Sequence, residues 1–334
     1  MKLTTTVLAA GLAALFAPAC AAAAADKVTL GTNWFAEPEQ GGYYQAVADG
    51  TFAKFGLDVT ILPGGPQNNN SQLLRAGKIE FRVGGNMLEA FDAVDQGIPI
   101  VVVAGHFQKD PVMFMSHPGA GLDNWADLPK ATAIVGATGI ASFYEWMRVA
   151  HGFKSENVKP YNFNSAMFIA DKGSIQQGYV TSEPFTVEKE GGFKPNIFLL
   201  ADHGYATYAT TIESRTDIVV KSPDLVQRFA DASAIGWYHY LYGDNAAANA
   251  AIKQANPDMT DDQIAFSIAK LKEFGVVDSG DALKMGIGAM TDQKVADFFA
   301  QMVKAKVVKP DLDYKKAYTL QFVNKGVGLE LHPK

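Results

Sequence analysis

Between Val28 and Ala104 short β-like apolar runs alternate with helix-periodic segments, and that alternation constrains the fold more than any other feature. Val28-Thr29-Leu30 begins a strand that runs out at Asn33-Trp34-Phe35. Pro38 then opens a helix with Tyr43, Tyr44 and Val47, closed by Gly50. Leu57 to Leu62 reads as a strand ended by Pro63-Gly64-Gly65-Pro66, and a short helix through Leu73 and Leu74 stops at Gly77. Ile79 to Val83 is the next strand. Asn86 caps a helix whose Met87, Leu88, Phe91 and Val94 share a face. Ile100-Val101-Val102-Val103-Ala104 is apolar without a break, as a strand covered on both faces is. The expectation is an α/β fold with a mostly parallel, doubly wound sheet flanked by helices.

A second series begins after Lys109-Asp110-Pro111. Its expected strands are Val112 to Met115, Ala133-Ile134-Val135, Tyr179-Val180-Thr181 and Ile197 to Leu200, with a long helix over Ile140 to Val149. Thr210 to Val220 reads as the crossing back. Beyond it helices dominate: Ser222-Pro223 starts one that reaches Tyr242, and Thr260 with Gln263 forms a capping box for another, stopped by Gly275. Two lobes follow, 26–110 plus 216–334 and an inserted 111–215, with ligand expected in the cleft between them.

Residues 1–25 read as a signal peptide: Lys2 supplies the charge, Val7 to Phe16 the apolar core, and Ala23-Ala24-Ala25 the small-residue site before Asp26. The apolar run is shorter than the ~18 residues of a membrane-spanning helix. A periplasmic location is expected. Cys20 either carries a lipid anchor or leaves with the signal, the second reading being preferred because Ala17 and Pro18 fit a lipoprotein site poorly. Without it the chain has no cysteine for a disulfide, a thiolate nucleophile or a metal site. The chain has 29 basic and 35 acidic residues, a net charge of −6, and no basic cluster, which argues against a nucleic-acid partner.

In doubly wound sheets ligands lie beyond the carboxyl ends of strands, so the loops there hold the candidates. Trp34 and Phe35 end the first strand, and read as an aromatic wall for a planar ring or as core packing. Gly64 and Gly65 offer backbone N–H groups to a carbonyl or anion, or form a plain turn. Asn86 is a helix cap or a cleft residue, and Thr138, in Gly136-Ala137-Thr138-Gly139, caps the second lobe's helix or meets ligand. His106 follows an apolar strand and is either structural or in contact with ligand. Glu183 weighs most. A carboxylate at a strand end is costly to bury without a partner. Either a ligand's N–H donors supply one, or Lys189 or Arg215 does. Tyr179 is part of the same wall or of the core, and Tyr205 with Tyr208 is expected to close the pocket's rim. No metal spacing among the histidines, nucleophile elbow, catalytic triad or cofactor motif is present, so neither an enzyme nor a cofactor is expected.

Several stretches resemble the periplasmic solute-binding proteins for thiamine-type pyrimidine precursors, within the sulfonate, nitrate and taurine group of ABC importers. They are Thr32-Asn33-Trp34-Phe35, Gly42-Tyr43-Tyr44, Gly50-Thr51-Phe52, Gly56-Leu57-Asp58-Val59, and Gln176 to Pro184 with Glu188-Lys189-Glu190-Gly191. The resemblance implies the type II two-lobed periplasmic-binding-protein fold and a monomer that hands a small heterocycle to a permease and its ATPase. Trp34 would stack on the pyrimidine with Tyr179 or Tyr205 opposite, and Glu183 would accept from an amine or ring N–H. One departure is Gln40, where several relatives have a histidine that fungal pyrimidine synthases of this fold use together with a cysteine-rich motif. The open alternatives are sulfonate, taurine or nitrate binding, riboflavin binding and, in another class, a pyrimidine-synthesis enzyme.

Overall fold

The computed structural model describes residues 24–65 and 68–333; the signal peptide expected over residues 1–25, Cys20 included, lies almost wholly outside the described residues. Ten strands form two five-stranded sheets. The first contains β1 (Asp26–Gly31), β2 (Leu57–Leu62), β3 (Phe81–Val83), β4 (Ile100–Phe107) and β10 (Ala209–Arg215), in the order β2-β1-β3-β10-β4. The second contains β5 (Val112–Ser116), β6 (Thr132–Val135), β7 (Val158–Pro160), β8 (Ser174–Tyr179) and β9 (Asn196–Leu199), in the order β7-β6-β8-β5-β9.

Both sheets are mixed, which corrects the expectation of mostly parallel ones. The pairs β2–β1, β1–β3, β7–β6 and β6–β8 are parallel; β3–β10, β10–β4, β8–β5 and β5–β9 are antiparallel. The antiparallel member next to an edge is, in each sheet, the strand that has just arrived from the other lobe. β4 leads through Gln108 to Pro111 into β5, and β9 leads through Leu200 to Tyr208 into β10. Sheet membership therefore puts Ala209 to Arg215 in the first lobe, earlier than the return expected at Arg215. The buried Glu213 pairs in register with Arg82 of β3, their side chains 2.7 Å apart, and holds β10 inside that sheet.

Helices cover both sheets. Pro223–Tyr242 buries Val226, Phe229, Trp237 and Tyr240 along one face, and Phe229 stacks on Phe81 at 4.0 Å between ring centres. The capping oxygen of Thr260 accepts from the Gln263 amide at 3.2 Å, as the sequence predicts, and starts the helix Asp261–Glu273. That helix touches the second lobe: the Ser267 hydroxyl donates to the Thr181 carbonyl at 2.7 Å. No helix among the described residues is long and apolar enough to cross a membrane.

Candidate functional site

The loop after β1 carries Trp34 and Phe35 and is moulded by the loop after β2. The Gly64 amide donates to the Thr32 hydroxyl oxygen at 2.9 Å and to the Trp34 carbonyl at 3.0 Å. A Cβ on Gly64 would lie 2.3 Å from the Thr32 carbonyl oxygen, so only glycine fits this approach. Gly65 adopts φ 143°, and a Cβ there would strike the Phe35 ring at 2.8 Å. Gly64 thus spends its N–H within the lobe and does not offer it to an anion. Phe35 is 44% exposed and edge-on to the half-buried Trp34, with ring centres 5.4 Å apart. Across the cleft, Phe163 of the second lobe meets Trp34 at 5.1 Å.

Glu183 is placed differently from the expectation. β8 stops at Tyr179, and Glu183 begins the helix Glu183–Gly191 with Pro184 in its first turn. Its side chain folds back over the strand end: Oε2 accepts from the Tyr179 amide at 2.7 Å and Oε1 from the Tyr161 hydroxyl at 3.3 Å. A Cβ on Gly178 would lie 2.8 Å from that of Glu183, so the fold-back requires the glycine. Neither cation suggested by the sequence reaches it. Arg215 pairs with Asp217 at 3.0 Å, and Lys189 lies over the Phe185 ring. Burial pushes Glu183 up to about 7, against the pull of the Tyr179 amide and with a further push from the charge of Glu39.

Other carboxylates gather around it. Glu39 is buried and accepts a hydrogen bond from the Thr181 hydroxyl of the other lobe. Burial raises its carboxyl, and Thr181 pulls against that rise. Glu37 is raised well above the usual range, first by burial and then by the charges of Glu39 and Glu183. In the crossing segment, Asp110 accepts from Asn86 Nδ2 at 2.8 Å and from the Val112 amide at 3.0 Å, while burial raises it. None of these carboxylates makes an ion pair with a lysine, arginine or histidine among the described residues. Tyr179 is 39% exposed, and burial around its hydroxyl, then the charges of Asp110, Glu39 and Glu183, push it well above the usual range.

The remaining candidates separate. Asn86 caps its helix, with Oδ1 accepting from the Leu88 amide at 3.0 Å, and its amide nitrogen also reaches Asp110. Tyr205 is fully buried, its ring against Trp146 and Phe298, so it cannot form an open stacking wall. Its hydroxyl is buried beside Asn86 and Asp110. His106 lies inside the first lobe instead of in the cleft: fully buried, it takes part in a 2.9 Å hydrogen bond with the Tyr43 hydroxyl, and burial pushes it down to about 3. Thr138 is exposed at the start of the continuous helical run 137–151, and its carbonyl accepts from Ser142. Gln40 is buried and closes a capping box, its Oε1 accepting from the Glu37 amide at 3.1 Å. Sequence reasoning missed Glu37, Glu39, Asp110, Tyr161, Phe163 and Thr181. Asp110 alone carried a signal, as the acid in the segment that joins the two series.

Among the described residues no group of His, Cys, Asp and Glu is arranged to hold a metal ion. A family model described as NMT1/THI5 like matches residues 37–247. No curated protein matches the chain significantly. Solved structures do. The periplasmic aliphatic sulphonate binding protein SsuA from Escherichia coli is 11% identical with a TM-score of 0.63, covering 87% of this chain and 91% of that one. The ligand-binding component of an ABC-type import system from Staphylococcus aureus, solved with zinc bound, is 12% identical with a TM-score of 0.61, over 91% and 99% of the two chains. The desulfurization enzyme DSZB is 13% identical with a TM-score of 0.59, over 91% and 99%. At these identities the likeness shows the fold, and that fold serves both binding and catalysis.

Proposed function

We propose, from the premise that the chain belongs to the NMT1/THI5-like family, that it is the substrate-binding component of an ABC importer and captures a pyrimidine or similar donor-bearing heterocycle. It works in the periplasm as a monomer, and delivers its ligand to a permease driven by an ATPase. The single observation that carries the ligand class is the set of carboxylates Glu37, Glu39, Asp110 and Glu183 near the lobe junction, raised by burial and, among the described residues, in no ion pair. Such groups are satisfied by N–H donors or positive charge, and they repel an anion. In this reading Glu183 and Tyr179 accept and donate along the ring's edge, Trp34 and Phe35 form its aromatic wall, and Asn86 with Asp110 forms the floor. The hinge segments are those joining β4 to β5 and β9 to β10.

A second reading has its own support. The solved structures like this chain include sulfonate-binding proteins, and in that respect the comparisons favour a sulfonate over a pyrimidine. Its best anchor here is the exposed start of the helical run at Ala137 and Thr138, where unpaired N–H groups attract an anion. The cleft carboxylates speak against it. An enzyme reading rests only on the fold shared with DSZB, and Gln40 stands in a capping box where the synthases' histidine would be. Calorimetric titration with hydroxymethylpyrimidine, uracil, thymine, riboflavin and taurine decides. Heat from a pyrimidine and none from taurine supports the proposal; the opposite pattern replaces it with the sulfonate reading.

A further inference from the structure

Phe163 is held in a conformation that its own lobe does not explain. It lies in the loop between β7 and the helix Ala166–Ala170, with φ 63°, a left-handed backbone that a bulky side chain rarely adopts. It is also 58% exposed. An aromatic residue that is both strained and solvated is disfavoured twice, and strain of this kind clusters at ligand clamps and switch regions. The loop around it is otherwise well fixed. The Tyr161 amide donates to the Val135 carbonyl at 3.0 Å, the Tyr161 hydroxyl reaches Glu183, and Asn164 Oδ1 accepts from the Ala166 amide at 2.8 Å. The ring of Phe163 touches Tyr161 at 5.2 Å within its lobe, and Trp34 at 5.1 Å in the other lobe.

We propose that Phe163 is a ligand-retaining residue: with Trp34 it forms an aromatic lip that closes over a planar ring held below and governs how fast the ring leaves. This rests on the reading of the cleft as a heterocycle site. The lip pairs one residue from each lobe and is already formed in this structure, so parting it is a step on the ligand's way out. The same loop, through Tyr161, steadies Glu183. Closing the lip and presenting the carboxylate are thus tied to one short segment.

The experiment uses Phe163→Gly and Phe163→Ala in the full chain, with hydroxymethylpyrimidine as the probe. Stopped-flow should show release faster by about three- to tenfold, the value of one aromatic contact, with association nearly unchanged. The melting temperature of empty Phe163→Gly should stay level or rise, because glycine adopts this backbone without strain. A residue that merely stabilises the loop gives the reverse, a lower melting temperature with unaltered release, and that result overturns the proposal. A ligand-free readout keeps the two readings apart. With 5-fluorotryptophan incorporated, and its signal assigned through Trp34→Phe, the Trp34 resonance should move in Phe163→Ala while those of Trp125, Trp146 and Trp237 stay. An unmoved Trp34 signal overturns the lip whatever the ligand. Absence of any pyrimidine binding in the unaltered protein overturns the functional reading instead.

Discussion

Buried charge is handled in opposite ways at two places in this molecule. Within the first sheet, Arg82 stands between Glu213 and Glu89 at 2.7 Å from each, and the guanidinium is held above its usual range by both. Burial raises Glu213 to about 7 even though Arg82 pulls it down, so its carboxyl is perturbed as far as that of Glu183 and the difference lies in the counter-charge that the fold itself supplies. At the lobe junction Glu37, Glu39, Asp110 and Glu183 have only hydroxyl and amide donors. A chain that neutralises one buried carboxylate with an arginine and leaves a neighbouring group without one has left something for a ligand to complete.

The largest expected effect is on the completed side. Arg82→Met should destabilise the fold by about 3–5 kcal/mol, since it strands buried carboxylates. Chemical denaturation measures it; a loss below ~1 kcal/mol would erase the contrast between the two places.

On the incomplete side, Glu183→Gln keeps an acceptor for the Tyr179 amide, reverses the Tyr161 bond so that the new NH2 donates to the hydroxyl oxygen, and removes the charge. Affinity for a donor-bearing pyrimidine should fall about 10- to 150-fold, as for a hydrogen bond to a charged group worth roughly 1.5–3 kcal/mol. Stability at pH 8 should hold or rise, because an unfavourable charge has gone. Loss of stability with unchanged affinity would make Glu183 structural.

The aromatic wall should come next. Trp34→Ala should lose on the order of 2 kcal/mol of binding, and Trp125→Ala almost none, because Trp125 stacks on His203 at 3.9 Å within the second lobe. Equal losses would remove Trp34 from the site.

The smallest effect is the pH dependence of the empty protein. Glu183 has a folded value of about 7, above its ordinary 4.5. Between those values the folded state therefore holds more protons than the unfolded one. Stability falls as pH rises through that window, by roughly 1–2 kcal/mol, about half of the full linkage of ~3 kcal/mol because the side chain keeps part of its exposure to solvent. Glu183→Gln should flatten the slope. Ligand affinity should move the other way and strengthen as the carboxylate ionises. Melting curves at pH 5, 6, 7 and 8 read the first trend, and a slope of the opposite sign would contradict the burial of Glu183.

The contrast also explains what the sequence disclosed. Strand–helix alternation predicted both lobes, and the caps at Asn86 and Thr260 and the helix from Pro223 stand where local chemistry put them. β10 was misplaced because the pairing that holds it in the first sheet, Glu213 with Arg82, 131 residues away, leaves no local mark in the sequence. The end of β8 was misplaced because Val180 and Thr181 have strand propensity, while Pro184 acts at the start of a helix rather than the end of a strand. Trp34, Tyr179 and Glu183 were visible as unusual residues at expected strand ends. The carboxylate cluster was not. It joins residues from the β1 loop, the crossing segment and the β8 turn, and no local pattern links them. His106 was drawn toward the site by its position after a strand, but Tyr43 and the surrounding aromatics claim it for the core.

The most direct test of the central claim is calorimetric titration of the unaltered protein and Glu183→Gln, at pH 8, with hydroxymethylpyrimidine and with taurine. The account predicts that the pyrimidine binds the unaltered protein and is lost by a factor of ten or more in the variant, at ~1.4 kcal/mol per decade, while taurine binds neither. Taurine binding that strengthens when Glu183 loses its charge would show an anion site repelled by this carboxylate, and would contradict it.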